Sequence, residues 1–283
     1  MRCCQGRRIR MPAIKLFINR VKHFILRWFT PVSFLTADCP KYGLKFRFHV
    51  HDIIGRDIYY KRGVYYEDFL TEFLLKRLGL KDEDLVLDIG ASIGWFSLVL
   101  STAARPRVYA FEPSAQTFRL LSENILLNDK GNVIPVNLAV DSASGRKPFF
   151  LYKDCNQGRH SLIKAPKHVS SVEVACVSLD DFVSRNALEG KAIKLVKIDT
   201  EGSELRILKG AEKTLPRVAN ILSEFTPALV SRGGGDPSEY AAILRRHGFK
   251  GYEVSAQGTL SEADLGLILA APAKARNIFW TRD

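Results

Sequence analysis

Two carboxylates flanking a small-residue turn are the residues of this chain best placed to handle a ligand. Asp88 lies near the end of the apolar run Leu85–Ile89, and Gly90-Ala91-Ser92-Ile93-Gly94 follows at once. Glu112 ends a second apolar run, Val108–Phe111, and precedes Pro113. An acid in that second position can hold the two hydroxyls of a ribose, while the glycines let backbone approach a ligand closely. A second set lies downstream: Asp199 and Glu201 in Lys197-Ile-Asp-Thr-Glu-Gly-Ser-Glu204, Glu224 in Leu222-Ser-Glu-Phe225, and His160 in the polar loop 154–161. Each of these could accept a proton from a hydroxyl within hydrogen-bond reach. The chemistry suggested is a nucleoside-bearing ligand beside a carboxylate or imidazole base.

The elements that must position these groups read as strand, turn, helix, strand. Leu85–Ile89 is a buried parallel strand, Trp95–Ala104 a helix, and Val108–Phe111 a second strand. The spacing Gly90-x-x-x-Gly94 is not the G-x-G-x-x-G of a dinucleotide site. Asp88 would repel a pyrophosphate and attract, directly or through water, the aminium of S-adenosylmethionine. The turn therefore points to a methyl donor. Further strands are expected at Val133–Leu138, Pro148–Tyr152, Val172–Val177, Ile193–Ile198 and Val218–Phe225, with Gly251–Ser255 and Asn277–Thr281 as a terminal pair. Helices are expected at 115–128 behind Ser114, from Ser178 through Val183, from Glu201–Glu204 onward, and at Pro237–His247. Upstream, Tyr42–Asp57 alternates as a strand pair with a turn at Gly43 or Gly55, and Tyr66–Leu78 is a helix with Phe69, Leu70, Phe73 and Leu74 inward. Asp141 either hydrogen-bonds an adenine amine or caps a turn with Ser142. Glu204 could be a purely structural cap, and Glu201 could pair with Lys197.

The segments Val86–Ser97, Ala110–Pro113, Lys197–Glu204 and Leu222–Phe225, with Gly55-Arg-Asp-Ile-Tyr59 and Lys61-Arg-Gly-Val-Tyr65, resemble the class I methyltransferases of the FkbM type. The likeness covers roughly residues 50–283. It implies an α/β, Rossmann-like fold with a seven-stranded, mostly parallel sheet in the order 3-2-1-4-5-7-6 and helices on both faces. Strands 1 and 4 then meet at the topological switch point, making Asp88 and Asp199 neighbours. The resemblance also implies S-adenosyl-L-methionine as cofactor, with Asp88, Gly90, Ala91, Ser92, Gly94, Glu112, Pro113, Ala139 and Asp141 as its binding residues. It implies O-methylation of a sugar, glycan or other small or lipid-linked hydroxyl acceptor, with Asp199, Glu201, Glu224 and His160 as catalytic candidates. The entry segment is expected to cover the cofactor, where Tyr59, Tyr60, Tyr65 and Tyr66 could stack on a ligand ring or simply pack. The three carboxylates could hold a hard divalent cation, but the resemblance does not require one and no metal is expected.

Bulk properties bound the rest. The chain of 283 residues carries 42 Lys and Arg against 30 Asp and Glu, a net charge of +12. Eight of the basic residues fall in 1–27 with no acid, which leaves about +4 for the remainder and assigns the excess to a leader. That leader places Ile14, Phe17, Ile18, Val21, Phe24, Ile25 and Trp28 on one helical stripe, with Lys15, Lys22 and Arg27 off it. Peripheral membrane contact through 12–30, docking onto the catalytic domain, and a partner-binding arm are all open. The expected division is a basic extension at 1–38, an entry segment at 39–80 and a methyltransferase domain at 81–283. Five cysteines, with no C-x-x-C, argue against a disulfide framework and for a reducing, cytoplasmic setting. A nucleic-acid methyltransferase is disfavoured. Asp199-Thr-Glu-Gly stands where base methylases carry Asn/Asp-Pro-Pro-aromatic, and an acidic edge opposes phosphate. A non-catalytic, membrane-associated binding module with this fold is the other alternative.

Overall fold

In the computed structural model, residues 33–61, 68–152, 159–164 and 168–282 are described, together with Val21 and Pro166. Phe34–Cys39 (β1) and Leu44–His49 (β2) form an antiparallel hairpin around Pro40–Gly43. Leu44, Phe46 and Phe48 are buried, as alternation on one sheet face requires. The strand pair thus turns at Gly43, one of the two expected places, with β1 upstream of the expected range. Ile53–Tyr60 is a helix (α1), capped by Asp52, whose carboxylate accepts the Gly55 N–H at 2.6 Å. Gly55 is no turn residue: it lets the helix backbone rest on Phe48, where an added Cβ would lie 2.1 Å from the Phe48 Cβ. Asp68–Leu78 (α2) buries Leu70, Phe73 and Leu74.

The central strands follow: Leu85–Ile89 (β3), Arg107–Phe111 (β4) and Val133–Val136 (β5). Ala139–Val140 (β6), Gly145–Leu151 (β7) and Ser170–Val177 (β8) form a separate three-stranded sheet in the order β6-β8-β7. Ile193–Ile198 (β9), Asn220–Phe225 (β10), Lys250–Val254 (β11), Leu260–Glu262 (β12) and Arg276–Thr281 (β13) complete the large sheet. Its order is β12-β11-β13-β10-β9-β3-β4-β5. Strands β3, β4, β5, β9 and β10 run parallel, while β13 is antiparallel to β10 and β11. This is the expected seven-strand order with β12 added at one edge. The chain has the α/β Rossmann-like methyltransferase fold.

Both faces of the central strands are covered, so residues alternate between two cores. Leu87, Ile89, Val196, Ile198 and Phe225 lie in one, and Val86, Leu195 and Leu222 lie in the other with Phe96 and Phe279. Trp95–Leu100 (α3) is shorter than expected. Beyond it Ser101 and Thr102 turn their hydroxyls back onto the Leu98 and Val99 carbonyls, both at 2.7 Å, which competes with continuing the helix. Ala115–Leu127 (α4) starts at the Ser114 cap as expected. Its Asn124 and Asn128 hold the outer edge of β2 in place of a strand. Asn124 accepts the Arg47 N–H at 2.6 Å and donates to the Arg47 carbonyl at 3.0 Å, and Asn128 repeats the pattern with Lys45 at 2.7 Å each way. Leu179–Arg185 (α5), Glu204–Lys209 (α6), Pro227–Arg232 (α7), Pro237–Arg246 (α8) and Leu265–Ala270 (α9) are the remaining helices described. Among the described residues no helix is long and apolar enough to cross a membrane. The amphipathic stripe of the leader, most of the 154–161 loop, Tyr65 and Tyr66 lie outside the described residues.

Candidate active site

The carboxyl ends of β3, β4 and β9 open onto one cleft. Gly90, Ser92, Glu112, Pro113, Leu138, Ala139, Val140, Phe149, His160, Leu162, Asp199, Thr200 and Ser203 are among its lining residues. The turn after β3 is anchored at its start, where the Gly90 and Ala91 N–H groups both donate to the Phe111 carbonyl, at 3.1 and 2.9 Å. Gly90 takes φ +83° and Ser92 φ +51°, the left-handed region. This bends the turn so that the Ser92 N–H donates to Glu112 Oε2 at 3.1 Å, while the Ser114 N–H donates to Oε1 at 2.9 Å. Glu112 is buried, and that burial pushes its carboxyl up to about 7 against the two amides and nearby Lys197. Each oxygen takes one amide and keeps acceptor capacity. A carboxylate so placed at the cleft fits the two hydroxyls of a ribose. Leu138, Ala139 and Val140 supply an apolar wall next to it.

Asp88 stands differently from expectation. It is fully buried behind the cleft, where Ser97 Oγ donates to its Oδ2 at 2.6 Å and Lys197 Nζ lies 3.6 Å from its Oδ1. Of the two routes expected for a donor aminium, direct or through water, its burial leaves the one through water. Ala91 and Gly94 shape the turn from behind. Gly94 takes φ +96° and an added Cβ would meet Leu121 Cδ1 at 2.8 Å. Of the two readings of Asp141, the contact with Ser142 is present and the residue is not among those lining the cleft. Its buried carboxylate is saturated by Arg206 Nε at 2.7 Å, Arg206 Nη2 at 2.6 Å, the Ser142 N–H at 2.7 Å and Lys147. It is a structural ion-pair node and does not line the cleft. Burial raises its carboxyl, but Lys147, the Ser142 amide and Arg206 outweigh that and hold it below the usual range.

Among the catalytic candidates, the cleft brings together Asp199 and His160. Asp199 follows β9 at the rim, with Lys197 Nζ 3.2 Å from its Oδ2. His160 accepts the Tyr152 N–H at Nδ1, 3.1 Å, so its neutral ring carries the proton at Nε2. That ring is a donor at Nε2 while this bond holds, which counts against its use as a base. Glu201 is half-buried at φ +55° in the next loop, its carboxyl pushed to about 7 by burial and by Asp199 and Glu204, against Arg159. The pairing of Glu201 with Lys197 weighed from sequence is replaced by Lys197 with Asp88 and Asp199. Glu204 is structural: its Oε1 accepts the Thr200 N–H at 3.3 Å, the Thr200 hydroxyl at 3.0 Å and the Gly202 N–H at 3.1 Å, which fixes the 199–204 loop. Glu224 is half-buried on β10, in register with Asn277 of β13, and is not among the lining residues. Among the described residues no group of three His, Cys, Asp or Glu side chains could hold a metal ion. The described residues of the entry segment line no part of the cleft: Tyr59 packs against Phe48 instead.

Sequence reasoning passed over Phe149, Leu162, Thr200 and Ser203, and gave Lys197 only a pairing with Glu201. Lys197 had a signal. A lone cation inside Leu195-Val196-Lys197-Ile198, a strand buried on both faces, must find a carboxylate partner.

The sequence matches the methyltransferase FkbM domain over residues 88–250. It is 29% identical over 204 residues to the hexuronic acid methyltransferase AglP of Haloferax volcanii, covering 71% of this chain and 77% of that protein. It is 29% identical over 216 residues to the 31-O-demethyl-FK506 methyltransferase FkbM of Streptomyces tacrolimicus, covering 65% and 80%. Among solved structures, M. jannaschii TYW2 in complex with AdoMet aligns with a TM-score of 0.43 and 18% identity over 90% of this chain and 89% of that one. The chain belongs to the FkbM methyltransferase family and is an S-adenosylmethionine-dependent methyltransferase.

Proposed function

We propose that the protein methylates a hydroxyl of a sugar, glycan or other small or lipid-linked metabolite, with Asp199 as the proton acceptor. The observation that carries this reading is the position of Asp199, on the rim of the cleft that Glu112 lines and beside the glycine turn. Two relatives bear names of the same kind, a hexuronic acid methyltransferase and a 31-O-demethyl-FK506 methyltransferase. In this reading Glu112 accepts the ribose hydroxyls of the donor, Leu138–Val140 cover its base, and the turn Gly90–Ser92 lies along it. S-adenosylmethionine, when bound, supplies an electrophilic methyl. The chain's own contribution is alignment of the acceptor hydroxyl and removal of its proton, which passes to the Asp199 carboxylate as the new O–C bond forms. The C–S bond electrons would stay on sulfur, so a neutral thioether, a methyl ether and a protonated Asp199 would balance the sulfonium, hydroxyl and carboxylate that entered. We assign the catalytic unit to residues 81–283.

The test is methyl transfer from 13C-methyl-labelled donor to a panel of hexuronic acids, neutral sugars and lipid-linked glycans, with the product position read by NMR. An O-methyl product, with Asp199→Asn slowing turnover by about 10²–10⁴-fold while donor affinity stays within threefold, supports the reading. Label on nitrogen or nucleic acid sinks the acceptor class. Wild-type turnover by Asp199→Asn sinks the base assignment.

A further inference from the structure

Lys197 is buried in β9 and touches both halves of the cleft. Its side chain is 5% exposed, its strand position is in register with Asp88 of β3, and its Nζ lies 3.6 Å from Asp88 Oδ1. The same Nζ lies 3.2 Å from Asp199 Oδ2, donates to the Gly90 carbonyl at 3.3 Å, and sits 4.8 Å from the centre of the Phe96 ring. One ammonium therefore joins a fully buried carboxylate, a cleft carboxylate and the backbone of the turn. A buried ammonium persists only with such partners. The contacts tie the end of β3 and its turn, at Asp88 and Gly90, to the end of β9, at Asp199, so the ammonium fixes the relative placement of the two strand ends.

We propose that Lys197 is a positioning residue for the transfer reaction: it holds the Asp199 carboxylate in place beside the Gly90 turn. The proposal rests on the reading of Asp199 as proton acceptor. Glu201 and Glu204 lie on the same loop as Asp199, with Arg159 beside Glu201. Among the described residues Lys197 is the cation in ion-pair contact with Asp199, at 3.2 Å. Lys197→Met alone strands Asp88 in the interior and can fail to fold. The informative pair is therefore Asp88→Asn against Asp88→Asn/Lys197→Met, which differ only in the ammonium.

The experiment is a pair of crystal structures of the full chain with S-adenosylhomocysteine bound, Asp88→Asn and Asp88→Asn/Lys197→Met. The expected result is an Asp199 carboxylate that keeps its place beside the Gly90 turn in Asp88→Asn and swings away from it in the double variant. A carboxylate that stays in place without the ammonium, even if thermal stability falls, overturns the proposal and leaves Lys197 a structural residue. The readout needs no methyl acceptor, so it stays separate from the base assignment: unimpaired turnover by Asp199→Asn sinks that reading whatever the two structures show.

Discussion

Gly90 rests against the Asp199 carbonyl so closely that a Cβ built on it would lie 1.9 Å from that oxygen. The contact joins the turn after β3 to the loop after β9 at the place where the sheet reverses its strand order. The Asp199 N–H donates to the Ile89 carbonyl at 3.0 Å, so the two loops are locked on both sides of the contact. Donor turn and candidate base are one rigid unit.

Gly90→Ala should therefore damage both stability and donor binding. The methyl meets backbone, which cannot swing aside, and φ +83° is strained for alanine. A loss of about 3 kcal/mol or more is expected by chemical denaturation, with S-adenosylhomocysteine affinity lost in whatever folds. Gly94→Ala meets the end of the Leu121 side chain instead, and should cost less. Equal costs at the two positions would contradict the account.

The Glu112 carboxyl gives the fold a pH signature. Its folded value, about 7, lies above its ordinary 4.5 because burial disfavours the charged form. A carboxyl raised on folding contributes stability that is fully present below the unfolded value and is lost as pH climbs through the folded one. Between about pH 4.5 and 7 the ligand-free protein should lose on the order of 3 kcal/mol through this group. Denaturation of Glu112→Gln, which has no such charge to bury, should show a correspondingly flatter dependence over that window.

Asp141 should prove structural. Asp141→Asn leaves the Arg206 and Lys147 cations without their shared carboxylate, at an expected cost of about 2–4 kcal/mol. Its folded value lies below the ordinary one, so its contribution is present above the unfolded value and fades as pH falls through the folded one. Calorimetry should find S-adenosylhomocysteine affinity changed by less than about threefold, under 1 kcal/mol. A variant of normal stability that lost the ligand would restore Asp141 to the adenine site.

The asparagine clasp between α4 and β2 has a sign of its own. Asn124 donates to the Arg47 and Ile93 carbonyls and accepts the Arg47 N–H, in a fully buried position. Asn124→Ala leaves these groups unpaired, at about 2–3 kcal/mol. Asn124→Asp, nearly the same shape, should cost more, since its oxygens would face two carbonyls and bury a charge. Denaturation midpoints in the order wild type, alanine, aspartate would bear this out, and the reverse order would not.

The central strands were legible because each is a short apolar run stopped by an acid or glycine, and because parallel strands hide both faces. Leu260-Ser-Glu262 escaped because it is a short, half-exposed edge strand. Gly55 stood beside Gly43 as a candidate turn because nothing local reveals that Phe48 needs the space. Glu112, Asp199 and the glycine turn were found from their position at strand ends. The same rule also picked Asp88 and Asp141, which do not line the cleft, because which way a strand-end carboxylate turns depends on partners far along the chain. Lys197 stands 109 positions from Asp88, and Arg206 stands 65 from Asp141. Such partners appear only once the sheet is assembled.

The most direct measurement is calorimetric titration of the wild-type chain and Glu112→Ala with S-adenosylhomocysteine. The account predicts saturable binding at one site, weakened by about 1–3 kcal/mol in the variant, the cost of a lost charged hydrogen-bond partner. Absence of binding by the folded wild type, or equal affinity in the variant, would contradict the assignment of this cleft to the methyl donor.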